Sequence, residues 1–356
     1  MPKVTGRLGQ AARNPESGWA VWGQQSAIAK LRQAIDRGPA HSYILAGPRQ
    51  SGKRAAALDF ARALNCPKAS GATSYCGECP VCRRIGKGVF PDVTVFDLAT
   101  QAARDGDKSR NLTLNIATVR EITSAVSYRP TESGWRIIIV DDAETMQEPT
   151  QEAFLKTLEE PPPYVILILL TSDAEALLPT IPSRCVTIRF GLASASDIEA
   201  ALIASGTELE LAQRVSGLAQ GSVGWAIDAA RNSSLIETRE RIINDATRFV
   251  LANAYDRMIR AVLLADEFSK DRESVFTRLE AIQGVWRSAL YLQQDLGDPS
   301  NSRPLTTNRD GFRGMSLEEL VRSIRSVDDC MTNLGANVRP RLALESMVLA
   351  WPRIGA

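Results

Sequence analysis

An α/β domain built on a parallel sheet and continued by purely helical regions is expected for this 356-residue chain, on three observations. Short aliphatic runs alternate with amphipathic stretches up to about residue 190. A loop bearing glycines and a lysine follows the first of those runs, and beyond Phe190 almost every apolar residue falls at helical spacing. The candidate strands are Ser42–Ala46, Val93–Phe96, Arg136–Val140, Val165–Thr171 and Val186–Phe190. Ahead of the first strand, Gln24–Arg37 carries Ala27, Ile28, Leu31, Ala34 and Ile35 on one helical stripe, with Gly38 at the stop position. Helical spacing resumes at Asp197, breaks around Gly217–Gly224, and runs from about Leu235 to the end apart from one loop, Gln294–Met315. That loop closes at Ser316-x-x-Glu319, a capping-box signature for the next helix. Three parts are expected: an α/β domain over 1–190, a small helical domain over 191–234 and a helical C-terminal domain over 235–356.

Composition narrows the function. Lys+Arg 42 against Asp+Glu 41 gives a net charge of +1, so no global field draws the chain onto nucleic acid or an anionic membrane. The opening MPKVTGRLGQ lacks an apolar signal-like segment, and the longest aliphatic run, Val165 to Leu170, has six residues, where a membrane helix needs roughly 20. A cytosolic, cytoplasmic protein without membrane contact is expected. The one histidine, His41, rules out HExxH metal sites and leaves no spare base for a nucleophilic triad. Trp19, Trp22, Trp135 and Trp225 are read as core or interface anchors, because no basic stripe with interleaved aromatics marks a direct nucleic-acid surface.

Gly47-Pro-Arg-Gln-Ser-Gly52-Lys53-Arg54 joins the first candidate strand to a helical stretch, Arg54–Leu64. That is the setting of a P-loop, whose backbone N–H groups and helix N-terminus cradle phosphates while the lysine reaches the outer ones. The plain alternative is a Gly/Pro turn between strand and helix. A magnesium-ligating Ser or Thr belongs at the next position, yet Arg54 stands there, and a guanidinium has no acceptor atom to offer a metal. Farther on, the aliphatic run Ile137–Val140 ends in Asp141, Asp142 and Glu144. Asp141 would be the metal-associated carboxylate. Asp142 stands where a longer Glu normally orients the attacking water, and catalytic geometry is sensitive to shifts near 1 Å. Gly47, Gly52, Lys53 and Asp141 therefore form a candidate but degenerate nucleotide site; the missing ligand argues against ATP binding and turnover by this chain.

Cys66-x9-Cys76-x2-Cys79-x2-Cys82 gathers four of the six cysteines. Four thiolates at tight-turn spacing suit a tetrahedral, structural Zn²⁺ within the module 66–82, with a redox pair as the alternative. Lys68, Arg83, Arg84 and Lys87 would offset the charge of a zinc tetrathiolate, and the isolated Cys185 and Cys330 are read as packing residues.

A P-loop, a four-cysteine insertion and a strand ending in Asp-Asp-Ala-Glu resemble the bacterial clamp-loader AAA+ family. The likeness sharpens at Phe154-Leu-Lys-Thr-Leu-Glu-Glu-Pro-Pro-Pro163, Val165–Ser172 and Leu178-Pro-Thr-Ile-Pro-Ser183-Arg184-Cys185. Gly23-Gln24, His41–Pro48 and the C-terminal Asn337-Val-Arg-Pro-Arg-Leu-Ala-Leu-Glu345 are similar to the family too. The resemblance implies an AAA+ P-loop NTPase-like domain with a zinc-binding insertion, a small helical lid and a helical C-terminal collar. It also implies two subunit types, the ATP-hydrolysing gamma/tau motor and the delta prime subunit. Lys53-Arg54, Asp141-Asp142 and the arginine-free segment Gly221-Ser-Val-Gly-Trp-Ala226 depart from the motor at three places that serve one function, which implies the delta prime type. Arg184 then matches an arginine finger, which points at ATP in a neighbouring gamma/tau subunit. Thr171 and Ser172 match a nucleotide-sensing position, with packing or capping as the other reading. The implied partners are gamma/tau and delta subunits and, through the complex, a sliding clamp and primed DNA. The competing readings are an active gamma/tau-like motor and a zinc-stabilised AAA+ module unrelated to replication.

Overall fold

The computed structural model describes residues 13–15, 17–69, 75–105, 113–293, 309–312, 314–336 and 338–353. Five strands, β1 (Ser42–Ala46), β2 (Val93–Phe96), β3 (Arg136–Val140), β4 (Val165–Thr171) and β5 (Val186–Arg189), form one sheet in the order β2-β3-β4-β1-β5. Every pairing is parallel; Ser42 lies opposite Leu167 and Tyr43 opposite Val186. β1 and β4 are buried along their whole length, as a parallel sheet covered on both faces requires. β5 stops one residue earlier than expected, although the Phe190 N–H still donates to the Ala46 carbonyl at 2.7 Å.

Helix α1 (Gln25–Arg37) precedes β1, and α2 (Lys53–Asn65), α3 (Pro80–Gly86), α4 (Leu98–Arg104), α5 (Ile116–Ser127) and α6 (Glu148–Glu159) lie between successive strands. Successive strand residues face opposite layers. Tyr43, Leu45, Ile137, Ile139, Ile166 and Ile168 pack with Leu31 of α1 and Phe60 of α2, whereas Ile44, Ile138, Val140, Leu167 and Leu169 pack with Ile122 of α5 and Phe154 of α6. Both layers leave the carboxyl ends of the strands clear for loops, and the functional candidates collect there. This sheet, with its loop after β1 and a helical continuation, is the parallel α/β fold class expected from the sequence.

Helical segments follow: α7 (Ala195–Ala204), α8 (Leu209–Leu218), α9 (Val223–Arg231), α10 (Ser233–Val250), α11 (Ala254–Phe268), α12 (Arg272–Gln293), α13 (Leu317–Gly335) and α14 (Pro340–Leu349). The chain divides into two compact units, one of 1–193 with 200–206 and 222–224, the other of 194–199, 207–221 and 225–356. Within the second, Trp286 meets Trp351 edge-on at 5.4 Å and Phe312 at 6.1 Å, at the centre of a core that includes Phe249, Leu279, Leu320 and Leu344. The capping box opening α13 forms, with the Ser316 hydroxyl accepting from the Glu319 N–H and the Glu319 carboxylate accepting from the Ser316 N–H. Of the loop expected over 294–315, residues 294–308 and 313 lie outside the described residues, as does Asn337 of the C-terminal family stretch.

Candidate functional site

The chain turns sharply out of β1. The Gly47 N–H donates to the Thr171 carbonyl at 3.1 Å, and a Cβ on Gly47 would stand 2.2 Å from the Phe190 carbonyl oxygen, so only glycine fits. Gly52, at φ 97°, supplies the left-handed step into α2. Lys53 opens α2, and its side chain curls back to donate to the carbonyls of Gly47 (2.5 Å) and Pro48 (2.6 Å). Burial holds this ammonium below the usual lysine range, although Asp141 and Glu144 pull the other way. The rest of the loop is tied down from outside. Gln24 donates to the carbonyls of Ser51 (3.3 Å) and Gly191 (2.7 Å). The Gly224 N–H donates to the Gln50 carbonyl at 3.1 Å, and the Ser222 hydroxyl to the Gln50 side-chain oxygen at 3.0 Å. A Cβ on Gly224 would lie 3.0 Å from Cβ of Gln50, so residues 222–224 sit directly on the loop.

Arg54, where the sequence reading expects a magnesium ligand, pairs with two acids. Its Nη1 lies 2.8 Å from Asp97 Oδ2 and 3.4 Å from Asp141 Oδ2, so one guanidinium nitrogen bridges both carboxylates. Asp97 caps α4 with its other oxygen, accepting from the Thr100 N–H at 2.7 Å. Sequence reasoning passed over Asp97; the signal was an Asp-x-x-Thr cap directly after a strand that neighbours the Asp141 strand. Burial raises the Asp141 carboxyl above its ordinary value against the pull of Arg54. Asp142, at φ 54°, is pushed up to about 6 by burial and by Asp141 and Glu144. The Thr171 hydroxyl is used in its own turn, donating to the Asp173 carbonyl at 2.7 Å, and the Ser172 hydroxyl donates to Glu144.

The four cysteines converge. Sγ of Cys66 lies 3.6 Å from that of Cys76 and 3.9 Å from that of Cys79, and all four sulfurs fall within 4.8 Å of one another. A zinc tetrathiolate with Zn–S near 2.3 Å has sulfur–sulfur edges of about 3.8 Å, so this set could hold Zn²⁺. Backbone N–H groups point at the sulfurs from Cys76 to Cys66 (3.4 Å), from Cys79 to Cys76 (3.3 Å) and from Cys82 to Cys79 (3.4 Å). Of the four expected cations, Arg84 turns to Glu132 in a two-point contact of 2.7 and 3.0 Å, and Lys68, Arg83 and Lys87 are exposed. Two further cations lie beside the insertion: Arg13 crosses Gly77 and stacks over Tyr75 at 4.3 Å, while Arg62 crosses Gly86. Neither is close to the Cys-x-x-Cys steps in sequence. Fully buried Asp59 ties them together, accepting from Arg62, the Tyr75 hydroxyl and the Ala20 N–H at 2.7, 2.7 and 2.6 Å. Cys330 is buried in the helical core and Cys185 is half-buried beside the second sheet layer.

Arg184 stands at the edge of the sheet in the short turn Pro182–Arg184 that precedes β5. Its Nη2 lies 2.7 Å from Oε1 of Glu159, the last residue of α6, and its Nη1 donates to the Thr180 carbonyl (2.9 Å) and the Ser183 hydroxyl (3.2 Å). The Leu-Glu-Glu-Pro-Pro and Ser-Arg-Cys stretches, separate in sequence, thus meet through one ion pair. Trp19 and Trp22 are buried, and Trp225 lies under the guanidinium of Arg239 at 5.4 Å.

Residues 23–193 match a family described as DNA polymerase III, delta subunit. DNA polymerase III subunit gamma of Buchnera aphidicola is 26% identical over 285 residues, spanning 78% of this chain and 75% of that protein. The tau/gamma subunit of Haemophilus influenzae is 34% identical over 167 residues, and the gamma/tau subunit of Mycobacterium tuberculosis 36% over 172. These latter matches cover 47% and 48% of this chain but 22% and 28% of those longer proteins. Among solved structures, a gamma subunit-related protein of Thermotoga maritima superposes with a TM-score of 0.38 at 18% identity, covering 91% of this chain and 97% of that one. The Holliday-junction branch-migration motor RuvB of the same organism gives 0.43 at 13% identity, covering 67% and 74%. Over its α/β part the chain is therefore similar in sequence to DNA polymerase III subunits described as gamma, tau and delta.

Proposed function

We propose that this chain is a delta prime-like subunit of a bacterial clamp loader, one that helps place a sliding clamp on primed DNA without hydrolysing ATP itself. The observation that carries this reading is the contrast between two arginines. Arg54 lies between Asp97 and Asp141, where a metal-dependent nucleotide site needs its divalent cation. Arg184 is kept at the surface, ready for a neighbour. In this reading Arg184 completes the ATP site of an adjacent gamma/tau subunit, where a guanidinium against the γ-phosphate offsets charge that develops in the transition state. The thiolate cluster holds a structural zinc, residues 235–356 join the collar of the assembly, gamma/tau and delta subunits are its partners, and it works in the cytoplasm.

A reconstituted loader with clamp and primed DNA tests this directly. Arg184→Ala in this chain is expected to abolish turnover at the site it faces, and Lys53→Ala to leave turnover unchanged. One observation favours the gamma/tau-like motor instead: the relatives named above are gamma and tau subunits. A loss with Lys53→Ala as large as that with Arg184→Ala would put the motor reading first.

A further inference from the structure

We propose that Glu159 is a positioning residue for Arg184, presenting its guanidinium to the neighbouring nucleotide; this rests on the arginine-finger reading. Glu159 closes α6 and Glu160 follows it, which puts two carboxylates at the negative end of a helix dipole, where acids are disfavoured. An exposed ion pair adds little to stability, so Arg184 is a weak compensation for that placement if folding alone is considered. The pair makes sense as orientation. A guanidinium has five N–H donors. Nη1 uses two, on the Thr180 carbonyl and the Ser183 hydroxyl, and Nη2 uses one on Glu159. The Nε–H and the second Nη2 hydrogen keep no acceptor among the described residues. An arriving phosphate oxygen can therefore be met without breaking the Glu159 contact. Glu159 stays bound through the reaction, fixing the long side chain before the neighbour's nucleotide arrives, so that less rotamer freedom is lost in the transition state.

The test uses the full chain in a loader whose gamma/tau subunits lack their own finger arginines, so that turnover depends on Arg184. Glu159→Ala is expected to lower kcat about tenfold while KM for ATP stays within about twofold, because the contact orients and does not bind substrate. Glu159→Gln keeps an oxygen acceptor and should recover most of that loss. Loader assembly and the thermal midpoint of the chain should be unchanged by Glu159→Ala. The proposal is overturned if Glu159→Ala matches wild type while Arg184→Ala is inactive. It is equally overturned if Glu159→Ala impairs loader assembly or lowers the thermal midpoint in step with its loss of turnover, which would mean that it acts through folding or assembly. Wild-type turnover by Arg184→Ala itself would remove the finger reading beneath it.

Discussion

Two places in this chain gather side chains of metal-ligating type, and different groups meet them. At the thiolate cluster four sulfurs converge at spacings that suit zinc, backbone N–H groups support them, and the nearby guanidinium groups of Arg13 and Arg62 lie across Gly77 and Gly86. At the carboxyl ends of β2 and β3, Asp97 and Asp141 also converge, but on Arg54. The difference is the reach of one covalently attached cation. A guanidinium on the first turn of α2 arrives at the acids with no loss of translational freedom, and it forks between two carboxylates as a metal would bridge them. At the thiolate set the bonds to the sulfurs among the described residues come from backbone N–H groups and from the other thiols. A metal motif is therefore read completely only when the nearest basic side chain is traced as well.

The largest expected effect lies at the thiolate cluster. Cys79→Ser should release zinc and cost on the order of 3–5 kcal/mol of stability, since metal-binding energy is folding energy in such modules. Zinc content by metal analysis and a urea titration check it; full zinc and full stability in the variant would dismiss the assignment.

A buried acid without any metal motif sharpens the contrast. Asp92 is wholly buried and accepts from the N–H groups of Thr131, Glu132 and Ser133 at 2.7, 2.8 and 3.0 Å, and from two hydroxyls at 2.9 Å. Burial alone would raise its pKa, but these donors outweigh it and hold the carboxyl below the usual Asp range. With the folded value depressed, the stabilisation is complete above about pH 4 and is lost as pH falls through the lower folded value. Asp92→Asn turns an NH₂ toward those donors and should cost about 2–3 kcal/mol at pH 7. The gap between wild type and variant should shrink by pH 3.5 in urea titrations. A gap that is independent of pH would contradict the carboxylate's role.

Legibility from sequence followed the range of the forces involved. The five strands could be read because aliphatic runs buried on both faces of a parallel sheet, such as Val165–Leu170, leave an unmistakable local pattern. The P-loop and the cysteine cluster were readable because glycine φ angles and thiolate spacing are local too. What escaped was long-range pairing. Asp97 with Arg54, Arg13 with Tyr75, Asp59 with Arg62 and Tyr75, and Glu159 with Arg184 depend on which strand ends and helix termini become neighbours. Of the basic residues close to the cluster along the chain, Arg84 shows the same thing, since its partner Glu132 is distant in sequence.

The smallest effect is the most direct test of the contrast between the two metal motifs. Arg54→Thr restores the hydroxyl that a magnesium site uses and removes the cation shared by Asp97 and Asp141. The Arg54 side chain is 44% exposed, so its pairing is screened and the loss in magnesium-free buffer should be about 1 kcal/mol. The two carboxylates would then repel each other, and a divalent ion would relieve them. Adding Mg²⁺ at ten times its dissociation constant should return about 1.4 kcal/mol to the variant by mass action. Wild type should gain nothing, because its cation is already in place and cannot dissociate. Thermal unfolding over a magnesium series, with zinc retained, separates the outcomes. A wild-type midpoint that rises with Mg²⁺ would mean that Arg54 does not fill the metal's position. A variant that ignores Mg²⁺ would mean that the acids converge for the sake of the guanidinium alone.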